Sequence, residues 1–202
     1  MPAGFGLEDY ARSLAALIAA LELGPAHVAG LSWGGTVALE LYRHHPERVA
    51  TLILADTYAG WKGSLPAEEV QARVDGVRTT LAAGERYDPS GLFAPDPPSE
   101  LVRLAEEMTA AARPGTLWAQ VSAMAQADQR ELLPLISVPT LLIWGESDAR
   151  SPLTVARRFQ EAIPGAELAV IPGAGHLSNL ERPGPFNDAV RRFCRAHPPR
   201  PA

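Results

Sequence analysis

Residues 27–55 read HVAGLSWGGTVALELYRHHPERVATLILA, and the fold is decided there. The first five residues are short and apolar, bounded by Pro25 and Gly30, and suit a buried strand. From Trp33 a helical pattern takes over, with Val37, Leu41 and the alanines turned inward, until Pro46 ends it. Residues 49–55, VATLILA, make a second strand that is β-branched and leucine-rich with no polar alternation. Such a strand is apolar on both faces, the pattern of a parallel sheet covered by helices on each side.

The same alternation extends outward. Upstream, Leu7, Tyr10, Leu14, Leu17, Ile18 and Leu21 recur at spacings of three and four, predicting a helix over residues 7–23 that Gly24-Pro25 stops. Downstream, strand signals vanish between residues 57 and 134, where helical patterns at 66–84, 98–112 and 115–128 flank a Pro/Gly-rich stretch at 88–98. Strands resume at 140–144 (TLLIW) and 167–171 (ELAVI), each followed by a helical pattern, at 154–162 and 185–196. Strands alternating with helices predict an α/β fold, a mostly parallel sheet of about four strands with right-handed crossovers. The expected division is a core of residues 1–57 and 135–202 and a helical cap or lid of residues 58–134, lying over the sheet's C-terminal edge or forming a separate lobe. No internal repeat or low-complexity tract interrupts this order.

Composition removes several function classes. Of 202 residues, 47% are hydrophobic and 20% charged, enough to bury a core and too apolar for a disordered chain. The net charge of −5, with no basic block beyond Arg191, Arg192 and Arg195, argues against a nucleic-acid partner. The single cysteine, Cys194, excludes an intramolecular disulfide and a cysteine-based zinc site, and is read as a packing residue. Residues 1–10 carry Glu8 and Asp9 and no basic run, unlike a signal peptide. The longest apolar run, residues 14–21, is far short of the roughly 18 residues that a membrane span needs. A cytoplasmic protein without a membrane partner is the expectation.

Ligands of open α/β sheets bind at the carboxyl ends of the strands, and three strand ends here carry chemistry. The first runs into Gly30-Leu31-Ser32-Trp33-Gly34-Gly35, a G-x-S-x-G turn between strand and helix. A sharp turn there needs little side-chain bulk around the serine, lifts its hydroxyl above the sheet, and aims the next helix's N-terminus at it. The third leads into Trp144-Gly145-Glu146-Ser147-Asp148, placing a carboxylate in the loop; Asp148 is the candidate and Glu146 its competitor. The fourth leads into Pro172-Gly173-Ala174-Gly175-His176, placing an imidazole in a glycine-rich loop. A serine hydroxyl attacks only when a base takes its proton, and the base needs a carboxylate to fix its tautomer. Asp56, which follows the second strand, is an alternative acid. In the insert, Trp61, Met108, Trp118 and Met124 either line an apolar substrate pocket or pack the lid. His44 and His45 precede Pro46 at a helix end, where they suit the last carbonyls better than a metal. No phosphate loop, dinucleotide fingerprint or metal-ligand spacing occurs, so no cofactor and no metal are expected.

Residues 7–56 strongly resemble the α/β-hydrolase superfamily, and PTLLIWGESDARSP and VIPGAGHLSNLERP resemble that family's acid and histidine loops. The resemblance spans almost the whole chain, residues 58–134 matching only in kind as a variable helical cap. It is greatest to enol-lactonase, esterase and cofactor-free haloperoxidase-like members. It implies Ser32 as nucleophile, His176 as general base and acid, Asp148 as the orienting carboxylate and the backbone N–H of Trp33 as one oxyanion donor. Family members carry about four further strands before this point, with an HG-type loop that completes the oxyanion hole. The sequence contains no His-Gly pair, and losing one oxyanion donor costs about 2.7–4 kcal/mol of transition-state stabilisation. Gly4-Phe5-Gly6 is the nearby flexible backbone that could substitute. Without those strands, residues 27–31 become an apolar sheet edge, and an antiparallel pairing of two such edges implies a homodimer. Two functions follow. One is a serine hydrolase cleaving a small carboxylic ester or lactone through an acyl-enzyme. The other is a catalytically weak or inert remnant, serving as a binding or interaction domain or forming a fragment of a longer hydrolase.

Overall fold

The computed structural model describes residues 6–85, 89–110 and 113–199. Four parallel strands, β1 (Ala26–Leu31), β2 (Val49–Ala55), β3 (Thr140–Gly145) and β4 (Glu167–Ile171), lie side by side in chain order. The α/β class, the number of strands and their parallel direction are those expected from the sequence.

The helices are α1 (Leu7–Ala20), α2 (Trp33–His44), α3 (Ala67–Ala82), α4 (Ser99–Ala110), α5 (Pro114–Gln126), α6 (Leu153–Ala162), α7 (Ser178–Glu181) and α8 (Pro183–Ala196). Successive residues of a strand point to opposite faces, and the central strands divide their side chains accordingly. Leu52 and Leu54 of β2, with Leu142 and Trp144 of β3, pack against residues of α1, α2 and α6. Ile53 and Ala55, with Leu141 and Ile143, pack on the other face against Ala189 and Phe193 of α8. Burial on both faces is why β2 and β3 are apolar at nearly every position. β1 ends the described sheet, and its Ala29 is exposed. Leu17, Leu21 and Leu23 are exposed nearby, and the groove between α1 and β1 is apolar.

The first helix stops earlier than residue 23. Glu22 adopts a left-handed conformation (φ 51°), its N–H donates to the Ala19 carbonyl, and the Leu23 N–H donates to that of Ile18. This pair of bonds closes the helix end in the manner usually assigned to glycine, so the stop precedes Gly24. The four-residue α7 is an element the sequence did not announce.

Within the insert, Tyr58, Trp61, Val121 and Met124 form a cluster, and Trp33, Val70, Val74, Val77 and Leu117 pack against it. Trp33 begins α2, so this cluster holds α3 and α5 close to the C-terminal edge of the sheet. Among the described residues no helix is long and apolar enough to cross a membrane, and no group of three or more His, Cys, Asp or Glu side chains could hold a metal ion.

Candidate active site

Ser32 stands between β1 and α2 with φ 52° and ψ −120°, a backbone conformation that non-glycine residues rarely adopt. The glycines around it show what the turn demands. A Cβ on Gly30 would lie 2.3 Å from the Gly34 carbonyl oxygen, and one on Gly35 would lie 2.3 Å from Thr57 Oγ1. A Cβ on Gly34 would meet nothing within 4 Å. The crowding after the serine therefore falls on Gly35, not on the last glycine of the pentapeptide. The Ser32 N–H donates to the Ala55 carbonyl (2.9 Å), and its own carbonyl accepts from Thr57 Oγ1 (2.5 Å).

Parallel strands in register bring their C-terminal ends to one edge, and there three of the expected side chains meet. His176 Nε2 lies 2.8 Å from Ser32 Oγ, and His176 Nδ1 lies 2.8 Å from Asp148 Oδ2. The imidazole is 2% exposed. A carboxylate only accepts, so Nδ1 carries the proton and Nε2 is left to accept from the serine hydroxyl. Asp148 Oδ1 accepts the backbone N–H groups of Arg150 and Ser151, both at 2.8 Å. Those two bonds fix which oxygen faces the histidine.

The other candidate acids point elsewhere. Glu146 accepts the Gly173 N–H at an exposed position. Asp56 is fully buried and accepts from Gly145 N–H (2.7 Å) and Ser178 Oγ (2.5 Å). Burial, with the charges of Asp148 and Glu181 nearby, pushes its pKa up to about 8 against the lowering effect of its two hydrogen bonds.

The insert also braces the site. The Leu177 N–H donates to the Leu92 carbonyl (3.1 Å), and Glu181 accepts from Ala94 N–H (2.8 Å) and Gly175 N–H (2.5 Å). A Cβ on Gly175 would lie 2.4 Å from the Ala94 nitrogen, so this loop glycine serves close approach to the insert. On the acid side, Tyr58 Oη–H donates to the Arg150 carbonyl, which also accepts from Arg73 Nη2 (2.8 Å). Burial pushes the Tyr58 hydroxyl up to about 12, which keeps it a donor. The sequence holds no local signal for these ties, because each joins residues distant in the chain.

Ser32 and His176 line a cavity of about 200 Å³ whose other walls include Trp33, Trp61, Val121 and Met124. That is below the roughly 300–1,000 Å³ of sites for drug-sized ligands. Two of the four proposed pocket residues, Trp61 and Met124, are thus on it. Met108 and Trp118 are not among its lining residues, and they are 65% and 38% exposed. On α5 the cavity-facing residues are Leu117, Gln120, Val121 and Met124, and Trp118 is turned about 100° from Leu117. On α4 only Ala105 is buried, leaving Met108 in solvent. Gly4 and Phe5, offered by the sequence as a second source of oxyanion donors, lie outside the described residues.

Comparison with known proteins agrees with this architecture. The family model described as the alpha/beta hydrolase fold matches residues 2–183. A 3-oxoadipate enol-lactonase of Acinetobacter baylyi is 32% identical over 95% of this chain and 72% of its own length. A pimeloyl-acyl-carrier-protein methyl ester esterase of Neisseria meningitidis serogroup A is 29% identical over 94% of this chain, which spans 62% of that esterase. Among solved structures, a thermophilic esterase from Thermogutta terrifontis (malate bound) superposes with a TM-score of 0.83 at 31% identity, covering 98% of this chain and 75% of that one.

Proposed function

The chain belongs to the α/β-hydrolase family, and from that premise we propose that it is a serine hydrolase cleaving small carboxylic esters or lactones. The relay Ser32–His176–Asp148, with both links at 2.8 Å beneath an apolar cavity of about 200 Å³, is the observation that carries this reading. The esterase and enol-lactonase names of its relatives support the same bond types.

In this reading Ser32 Oγ attacks the substrate carbonyl as His176 Nε2 takes its proton, and Asp148 stabilises the imidazolium. The tetrahedral oxyanion rests against the N-terminal end of α2 and is held by the Trp33 N–H. Collapse breaks the bond to the leaving alkoxide, which departs as the alcohol with the proton held on Nε2. Water, deprotonated by the same nitrogen, then attacks the acyl-enzyme and returns Ser32. The small apolar cavity holds the acyl group and excludes bulk water, which favours short or cyclic substrates.

The test is hydrolysis of p-nitrophenyl acetate by the purified chain beside Ser32→Ala. Turnover present in the first and lost in the second supports the proposal. Equal rates in both refute it and leave a binding or interaction domain as the working description.

A further inference from the structure

Three loops must hold fixed relative positions for the relay to exist, and they leave three different strands. The two residues that follow β2, Asp56 and Thr57, are bonded to all three. Thr57 Oγ1 donates to the carbonyl of Ser32 (2.5 Å), the residue that bears the proposed nucleophile. The Thr57 carbonyl accepts from Ser151 Oγ (2.7 Å), and Asp56 Oδ1 accepts from the Gly145 N–H (2.7 Å), so the Asp148 loop is held at both ends. Asp56 Oδ2 accepts from Ser178 Oγ (2.5 Å), two residues beyond His176. Both residues are fully buried, and the positive φ of Asp56 (46°) turns the chain so that its carboxyl and the Thr57 hydroxyl reach opposite ways. A buried carboxyl in a strained backbone is costly and persists when surrounding structure requires it.

We propose that Asp56 and Thr57 form a positioning hub that sets the mutual geometry of Ser32, Asp148 and His176 without lining the cavity. Neither residue borders the cavity, so neither meets substrate. They act through the loops they join, at the strand end lying between those of β1 and β3. The function of the hub rests on the serine-hydrolase reading; its geometry does not. Asp148 and Glu181 are the charged groups that bear on Asp56, and both are acidic. Asparagine keeps both ties: its Oδ1 accepts from the Gly145 N–H, and its amide donates to Ser178 Oγ, whose hydroxyl turns from donor to acceptor.

Asp56→Ala, Asp56→Asn and Ser178→Ala in the full chain test the inference, each first checked for folding by thermal denaturation. Misplacing reacting groups by about 1 Å costs on the order of 10²-fold. Asp56→Ala is therefore expected to lower kcat on p-nitrophenyl acetate by on the order of 10²-fold with KM little changed, and Asp56→Asn to recover most of that loss. The downfield proton resonance of the His176–Asp148 bond should shift or broaden in Asp56→Ala and return in Asp56→Asn. A folded Asp56→Ala with unchanged kcat or an unchanged resonance overturns the hub. If Asp56→Ala does not fold, Ser178→Ala decides: it removes only the tie to the histidine loop, and a wild-type kcat and resonance would overturn the hub. If the wild type shows no Ser32-dependent hydrolysis, the functional reading falls, and the resonance alone still decides the hub.

Discussion

Replacing Asp148 by asparagine separates the proton logic of the site from its architecture. Asp148 Oδ1 is held by two backbone donors, Arg150 N–H and Ser151 N–H, each at 2.8 Å. In the variant the amide oxygen must take that place, because the reverse orientation would set the amide nitrogen against both donors. The NH2 then faces His176 Nδ1, where Asp148 Oδ2 stands at 2.8 Å. Nδ1 becomes the acceptor, the ring proton moves to Nε2, and Nε2 can no longer take the proton of Ser32 Oγ. In the serine-protease template this change costs roughly 10⁴-fold in kcat with geometry intact, which is about 5.4 kcal/mol of barrier. The same loss is expected here in kcat for p-nitrophenyl acetate, measured beside wild type and Ser32→Ala. Thermal denaturation of the same samples should report a folded variant, weakened by about 1–3 kcal/mol through its altered loop bonds. A folded Asp148→Asn within tenfold of wild-type kcat would refute the tautomer argument.

Other outcomes follow from the same structure. Burial raises the Asp56 pKa to about 8, so between the ordinary carboxylate range and that value the folded state binds more protons than the unfolded one. Stability should therefore fall as pH rises through that window, and Asp56→Asn should flatten the dependence in denaturant titrations; parallel curves would count against it. Gly35→Ala would drive a methyl to 2.3 Å from Thr57 Oγ1 and should cost about 1–3 kcal/mol by overpacking. Gly34→Ala meets open space within α2 and should stabilise by about 0.5–1 kcal/mol; equal melting shifts would contradict the crowding described. Pairing of two copies through the β1 edge is expected to give twice the 21.6 kDa chain mass in light scattering, and a monomer at micromolar concentration would exclude it.

Much of this was legible from residues because α/β topology is strongly patterned. An apolar run such as residues 49–55 can be buried on both faces only in a covered parallel sheet, and parallel strands deliver their following loops to one edge. That is why Ser32, Asp148 and His176, far apart in sequence, group at one sheet edge from pattern alone, whereas the choice of Asp148 over Glu146 in the same loop rests on the family resemblance. Sequence and structure differ where packing, and not pattern, decides. Leu101, Leu104, Ala105 and Met108 fall at helical spacing, yet Leu104 and Met108 of α4 remain in solvent. Glu22 ended α1 although Gly24 stood two residues away, since hydrogen bonds to Ala19 and Ile18 outweighed its left-handed strain.

The Pro/Gly-rich stretch between α3 and α4 reads as a separator in the sequence, and its described part does more than separate. Leu92 and Ala94 are bonded to the loop bearing His176, while Tyr58 and Arg73, at the other end of the insert, are bonded to the loop bearing Asp148. The loops bearing Asp148 and His176 thus rest partly on the insert and partly on the Asp56–Thr57 corner. Opening the insert wide enough to strip the Leu92 and Ala94 contacts would leave the N–H groups of Leu177, next to His176, and of Ala94 without their partners. Such groups cost about 1–3 kcal/mol each when buried. Substrate entry is therefore expected to proceed by local movement of the cavity walls around Val77 of α3 and Leu117 and Val121 of α5, whose side chains pack by apolar, nondirectional contacts, and not by lifting the insert from the sheet edge. Hydrogen exchange resolves the two cases: slow exchange at Leu177 and Ala94 alongside faster exchange around Val77 of α3 fits the first, and matched fast exchange at all of them would overturn it.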